Sequence, residues 1–378
     1  MVIVAENLAP YEEPQRPRTK KRRTARNVLL SVVAIFLVVA VGAGFFAFNL
    51  ASSFNSKSQK IEQAFPEDAG RPAKVQPGAT NILLLGSDSR AVALGSAEAG
   101  GSSDQRSDTM MWVHIPADHK NIYMMSIMRD TWVEIPGHGE AKMNTAMALG
   151  GIPLVVQTLE GMFGTRLDHV AVVDFEGFKA MTDALGGVNV NVHQAFNTQQ
   201  FSFPAGRQQL TGEEALAFVR ERKAFSDGDY QRVKNQQLFL KALLTKFLTA
   251  ETLTNPGKIS SLVDTVSPYI SVDSSLDGAA AGALAFGLRG VRGADVISYT
   301  LPTLGIGTSD DGQSIVLRDD AAIDGLRKAL ADDSLGSYLQ GAGLTDKRKC
   351  GQDAGQRTSR KGSAVECGRA GNIASWRC

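Results

Sequence analysis

The stretch VRERKAFSDGDYQRVKNQQ, residues 219–237, gathers Arg220, Arg222 and Arg232 with Asp229 and Gln236. Arg232 and Gln236 stand four residues apart, one above the other on a helix that starts near Tyr230, with Asp229 just before its first turn. Arg220 and Arg222 end a preceding helix, whose start is marked by Thr211 and Glu214 in the relation of a capping box. The KAFSDGDY turn folds them back toward Arg232. Guanidiniums gathered at a helix N-terminus make a site for a multiply charged oxyanion, phosphate being the commonest. The same residues also read as a solvated charged face, and the pattern alone leaves both open.

A second set is acidic. NILLLGSD (81–88) is a short apolar run closed by Gly-Ser-Asp, which predicts a strand buried on both faces and ending in a loop. DTMMWVHI (108–115) and NIYMMSIMRD (121–130) flank PADHK and predict a hairpin. Folding about Asp118 lays Asp108 opposite residue 128, beside Arg129. If the first strand pairs antiparallel with the second, Asp88 joins them at one sheet edge. Two carboxylates beside an arginine site are the hard oxygen donors that hold Mg²⁺ while it also binds phosphate oxygens, and such a metal neutralises charge during phosphoryl transfer. As turn or cap residues, each would have a local role only.

Other chemistries find less support. His114, His119, His138, His169 and His193 show no metal-binding spacing and read as structural or surface residues. No Gly-rich phosphate loop with its Lys-Ser/Thr is present, and G-x-S-x-G occurs only as weak loop matches. All three cysteines, Cys350, Cys367 and Cys378, fall in the last segment, so thiol chemistry in the folded part is excluded. The formal net charge is +1, which argues against a nucleic-acid partner.

The elements that position these residues follow from composition. Residues 1–27 form a basic tail (Arg16, Arg18, Lys20, Lys21, Arg22, Arg23, Arg26) ahead of the uncharged run Val28–Leu50. That run is long enough to cross about 30 Å of hydrocarbon as a helix. It reads as one uncleaved transmembrane helix rather than a signal peptide, with the basic tail cytoplasmic and the remainder extracytoplasmic. Residues 51–78, rich in Ser, Gln, Lys, Pro and Ala, read as a linker. A single domain over 79–340 follows, with strand-like HVAVVDF and VNVNV, helix-like EGFKAMTDAL, a long helix from about Tyr230 to Thr249 striped by Leu240, Leu244 and Phe247, strand-like DVISYTLP and helix-like DDAAIDGLRKAL. Strands interleaved with helices indicate an α/β layered fold. Residues 341–378, basic and Gly-rich, read as a disordered tail or an aberrant gene end.

NILLLGSDSR, RSDTMMWVHI, MMSIMRDTWVEIPG, AKMNTAMALGG, DHVAVVDFEGFKAMTDALGGVNVNV, LTGEEALAFVRERK and GDYQRVKNQQ occur in the order of the LytR-CpsA-Psr family of cell-wall glycopolymer ligases, which the chain resembles over about residues 80–335. The resemblance implies a three-layer α/β/α sandwich with a central mixed sheet and an apolar cavity for a prenyl chain. It also implies a Mg²⁺-dependent phosphotransferase at the outer face of the plasma membrane. Such enzymes move a glycopolymer from a polyprenyl diphosphate lipid to the muramic acid 6-hydroxyl of peptidoglycan, forming a phosphodiester. Carried over by motif, Asp88 and Asp108 match the family's magnesium-associated carboxylates. Arg106, Arg129, Arg220, Arg222 and Arg232 match its diphosphate-contacting arginines, and Asp229 and Gln236 the polar residues beside them. A polyprenyl-diphosphate-sugar diphosphatase and a non-catalytic membrane regulator are the competing readings. Arabinogalactan, teichoic acid and capsule polymer are all open as the glycopolymer.

Overall fold

The computed structural model describes residues 21–74, 77–87 and 107–344. Asp88 and Arg106, residues 1–20 and the cysteine-bearing segment 345–378 lie outside the described residues, and Asp108 is described through its backbone alone. The chain divides into two units, Met1–Leu50 and Ala51–Cys378. Helix α1 (Lys21–Lys57) contains the whole apolar run, and its large side chains from Leu29 to Phe48 are mostly exposed. Such a helix is consistent with a single-pass membrane protein.

In chain order there follow β1 (Gln59–Ile61), β2 (Thr80–Ser87), β3 (Ser107–Ile115), β4 (Ile122–Ile127), the β5 (Trp132–Ile135) and β6 (Gly139–Lys142) hairpin, and α2 (Met143–Phe163). Then come β7 (His169–Asp174), α3 (Phe175–Ala184), β8 (Val188–Val192), β9 (Phe196–Asn197), β10 (Ser202–Phe203), β11 (Gly206–Leu210), α4 (Gly212–Arg220) and α5 (Gly228–Phe247). The rest is α6 (Ala250–Leu253), α7 (Pro256–Val266), β12 (Ile270–Asp273), α8 (Gly278–Gly287), β13 (Val296–Thr300), β14 (Thr303–Thr308), β15 (Ser314–Arg318), α9 (Asp320–Ala331) and α10 (Leu335–Gly341).

A seven-stranded mixed sheet runs β1-β12-β7-β2-β3-β4-β13. Strand β2 is antiparallel to β3, as the sequence predicts, and parallel to β7; β3 is antiparallel to β4, and β4 parallel to β13. The carboxyl ends of β2, β4, β7 and β13 therefore share one edge. One face of the sheet packs Leu83, Leu85, Trp112, Met125 and Val172 against Val155, Leu159 and Phe163 of α2 and against α9 and α10. Trp112 meets Phe163 edge-on at 5.1 Å. On the other face Ile122, Met124 and Val296 meet α5 through Leu240, Leu244 and Phe247, the stripe the periodicity predicts. A third cluster joins β8 and β11 to α3, α4 and α5 around Phe196, Phe203, Phe218 and Phe239.

Helix α2 is long and apolar enough to cross a membrane, yet it is a core helix. Its axis breaks at Gly150 and Gly151, where Gly151 has φ 63° and Pro153 follows, so two segments point in different directions. The first segment serves the site described below, and the second fills the core.

Two expectations are corrected. Strand β2 is buried on one face only, because Ile82, Leu84 and Gly86 are half-buried while Asn81, Leu83, Leu85 and Ser87 are buried. Residues 51–78 are no free linker: β1 pairs in parallel with β12, and Ile61 and Ala64 are core residues. Arg71 also enters the fold, donating from Nη2 to Glu160 Oε1 at 2.8 Å and to the Leu167 carbonyl at 2.7 Å, with both side chains almost wholly buried. Few apolar residues mark this segment, and its anchoring rests largely on ion pairs that no periodicity announces, Arg71 with Glu160, Lys74 with Asp168 and Asp68 with Arg166 among them.

Candidate functional site

Arg129 follows β4 by two residues and is fixed through its backbone. The first N–H groups of α2 are free to bond outside the helix. Asn144 donates to the Arg129 carbonyl at 3.0 Å, and Met143 to that of Thr131 at 2.8 Å. The AKMNTAMALGG motif thus clamps the loop that carries Arg129. The Arg129 Nε lies 3.8 Å from Asp229 Oδ2 and 3.5 Å from Asp130 Oδ2.

Asp229 lies in the first turn of α5. Its Oδ2 also accepts from Arg232 Nη2 at 3.2 Å, so one carboxylate bridges the arginine after β4 and the arginine of α5. Arg232 is 5% exposed. The i,i+3 spacing of Asp229 and Arg232 holds the guanidinium against the helix, near the N-terminus of its dipole.

Helix α4 is started by the capping box the sequence predicts: Thr211 N–H donates to Glu214 Oε2 at 2.8 Å, and the Glu214 N–H returns to Thr211 Oγ1. Its last turn is held by α5, as Asn235 Nδ2 donates to Phe218 O at 3.5 Å and Gln236 Nε2 to Val219 O at 3.3 Å. These bonds set Arg220 and Arg222 beside the start of α5. The Gln236 amide nitrogen is therefore engaged with the backbone, a structural duty the sequence pattern does not show.

Arg220 is exposed, with its guanidinium 4.5 Å from the centre of the Phe175 ring. Phe175 opens α3 directly after Asp174, the last residue of β7, and Asp174 is the lateral partner of Ser87 in β2. Arg220 thus lies beside the sheet edge at which β2 and β7 end. Arg222 is exposed in the turn between α4 and α5, its carbonyl accepting from the Phe225 N–H at 3.3 Å. Among the described residues, neither Arg220 nor Arg222 makes an ion pair, whereas Arg129 and Arg232 share Asp229.

The hairpin register pairs Met110 with Ile127. Continued, it sets position 108 level with Arg129 rather than with residue 128. Ser87 pairs with Ser107 and Gly86 with Thr109, so position 108 is the extra residue of a bulge facing the end of β2. The backbone brings positions 87, 108 and 129 to one edge, while Asp88, expected to join them, lies outside the described residues.

Gln237 escaped the sequence reading. Its Nε2 donates to Ser126 Oγ at 2.9 Å and Thr300 Oγ1 at 3.0 Å, tying α5 to the carboxyl ends of β4 and β13. The available signal was a polar residue among the inward positions Val233, Leu240 and Leu244. Ile82, Leu84 and Gly86 with their lateral neighbours His169, Ala171 and Val173 form a half-buried, largely apolar strip leading to this edge.

The geometry has counterparts. The family model described as the LytR_cpsA_psr family matches residues 45–332. The chain is 30% identical over 329 residues to the cell wall biosynthesis protein LcpA of Corynebacterium glutamicum, covering 77% of this chain and 62% of that protein. It is 31% identical over 245 residues to the polyisoprenyl-teichoic acid–peptidoglycan teichoic acid transferase TagU of Bacillus anthracis, covering 63% of this chain and 77% of that protein. The crystal structure of B. subtilis TagV superposes with a TM-score of 0.59 at 25% identity, covering 69% of this chain and 98% of TagV. With the family model matched over residues 45–332, well over half of its length, the chain belongs to the LytR_cpsA_psr family.

Proposed function

We propose that the chain is a glycopolymer phosphotransferase that moves a polymer from a polyprenyl diphosphate carrier to peptidoglycan outside the cytoplasm. The observation that carries this reading is the union of two surfaces: arginines at the carboxyl edge of the sheet, and a half-buried apolar strip leading to them. A lipid diphosphate presents those two chemistries in one molecule. The name of TagU, a transferase from a polyisoprenyl-linked polymer to peptidoglycan, supports the same substrate pair.

In this reading Arg129 and Arg232 hold the diphosphate from the β4 side, while Arg220 and Arg222 supply exposed, uncompensated positive charge from the α4 side. Asp229 keeps Arg129 and Arg232 oriented when no substrate is bound, and Arg106, next to Ser107 in the sequence, adds charge. The acceptor hydroxyl attacks the sugar-side phosphorus in line. The bond to the bridging oxygen breaks, and polyprenyl monophosphate leaves. The arginines favour the step because they are oriented before charge develops. The hydroxyl proton passes to a carboxylate, Asp88 or Asp108.

Those two carboxylates would hold Mg²⁺, and the bulge that sets position 108 opposite the end of β2 suits a shared ion. When bound, the ion neutralises charge on the diphosphate oxygens. Asp108→Ala should then lose Mg²⁺ stimulation together with turnover; a fully active, magnesium-stimulated variant assigns the metal elsewhere.

The test supplies the full-length protein, in nanodiscs with Mg²⁺, with a polyprenyl-diphosphate oligosaccharide in the presence and absence of a peptidoglycan oligomer. A glycan joined to peptidoglycan through a phosphodiester, seen by mass spectrometry only with acceptor, supports transfer. Sugar phosphate released equally fast without acceptor makes the protein a diphosphatase instead, and no turnover leaves a regulatory role.

A further inference from the structure

Helix α8, with the sequence GAAAGALAFG followed by Leu288, contains no charged or polar side chain and no buried residue. Its exposure is periodic. Ala280, Ala281, Leu284 and Ala285 are half-buried, whereas Ala279, Gly282, Ala283 and Phe286 are exposed and recur at the i, i+3, i+4, i+7 spacing of one helix face. Phe286 is 67% exposed. A water-facing helix surface ordinarily carries polar side chains, so this face is built for a different medium.

The N-terminus of α8 is tied to the segment that continues directly from the apolar run. The Gly278 N–H donates to Asn55 Oδ1 at 2.7 Å. A Cβ at Gly278 would stand 2.5 Å from the Ala51 carbonyl oxygen, so the close approach requires glycine. Lys60 Nζ donates to the Leu276 carbonyl at 3.2 Å, and Lys57 Nζ lies 2.6 Å from Asp264 Oδ1. Four contacts thus fasten residues 51–60 to α7 and the start of α8. The apolar run ends at Leu50. At 1.5 Å per helical residue, Asn55 stands about 7 Å beyond it, within the polar layer that flanks the hydrocarbon.

The C-terminal end adds basic groups suited to phospholipid headgroups. Arg289 stacks 4.0 Å from the centre of the Phe286 ring and donates to the Phe286 carbonyl at 2.8 Å, and exposed Arg292 follows three residues later in extended backbone. An aromatic ring beneath a guanidinium is an arrangement that seats at the boundary between acyl chains and headgroups.

We propose that the outer face of α8 is a membrane-contact surface, with Ala279, Ala283 and Phe286 in the headgroup–acyl boundary of the bilayer that the N-terminal helix enters. The bilayer is the occupant, because the chain itself delivers this helix to the bilayer surface. The inference rests on the N-terminal span and not on the transfer reaction. The domain is then held at two points rather than hung from one, which fixes its orientation to the surface.

The test uses the full chain in phospholipid nanodiscs, with Cys350, Cys367 and Cys378 replaced by serine. A single cysteine is introduced as Ala283→Cys or Phe286→Cys and labelled with an environment-sensitive fluorophore. Both positions are exposed, so either label leaves the packing intact. A label at Gln199→Cys, exposed on the β9–β10 turn, is the control. The expected result is quenching by brominated acyl chains several-fold stronger at 283 and 286 than at 199, with a blue-shifted emission. Labels at 283 and 286 that respond only to aqueous quenchers overturn the proposal. Cysteines at 286 that crosslink between two chains in one nanodisc, without lipid quenching, overturn it too and make the face a contact between copies.

Discussion

Arg220 and Arg232 are held in opposite ways, and their substitution should fail differently. Arg232 is buried against Asp229, whereas Arg220 is exposed and rests on the Phe175 ring. Arg220→Ala should lower kcat/KM for transfer by roughly 10²–10³-fold, the usual effect of removing one preorganised charge from a polar transition state. Its unfolding free energy should stay within about 0.5 kcal/mol of the parent, as expected of a surface position. Arg232→Ala should lose activity comparably and also about 1–3 kcal/mol of stability, since Asp229 loses its hydrogen-bonded partner. Kinetics and denaturant titration on the two variants separate these outcomes; a stable, fully active Arg220→Ala protein removes that residue from the site. The gathering of the five candidate residues of α4, α5 and their turn was legible in the sequence, because the capping box and the i,i+4 spacing place them around one turn. What spacing could not show is the division of labour: Asp229 orients two arginines, and Gln236 spends its amide nitrogen on Val219.

At the scale of elements, the parts that present the site are pinned by buried polar contacts rather than by apolar periodicity. The central strands, α3, α4 and α5 were legible from their apolar runs and stripes, and α4 also from its capping box. Strand β1, the β5–β6 hairpin and α8 were not, being too short or too uniform for a period to register. Arg71 illustrates the loss of signal: it lies in a Pro/Gly-rich stretch, yet closes a buried ion pair with Glu160, the two side chains being 5% and 2% exposed. Arg71→Ala leaves that carboxylate buried without its partner and should destabilise the domain by about 3–5 kcal/mol. A calorimetric midpoint unchanged from the parent would show that β1 and its flanks are dispensable. Asp273, at the end of β12, gives the acid limit. Burial opposes its ionisation, but hydrogen bonds from His169, Ser275 and the Val170 N–H outweigh burial and bring its pKa from 3.8 to about 2. A depressed carboxylate stabilises the fold at pH above its unfolded value. That contribution is lost as pH falls from 3.8 through about 2. Stability curves for the parent should therefore drop across this window, and those of Asp273→Asn should be lower at neutral pH and flatter below it.

For the whole molecule, the chain joins an apolar N-terminal helix to one α/β domain whose charged edge and half-buried apolar strip are the two surfaces on which the proposed lipid-diphosphate reading rests. The span and the domain were legible from hydropathy and composition. The linker between them was not, because residues 58–71 fold onto the domain through few apolar side chains. The measurement that tests the central claim most directly follows the sugar-side phosphorus of the donor. A polyprenyl-diphosphate oligosaccharide radiolabelled at that phosphate is incubated with the full-length protein, Mg²⁺ and a peptidoglycan oligomer. The label should move to peptidoglycan, resist phosphomonoesterase as a phosphodiester does, and appear there only with acceptor. Label recovered as free sugar phosphate at the same rate with and without acceptor would contradict transfer.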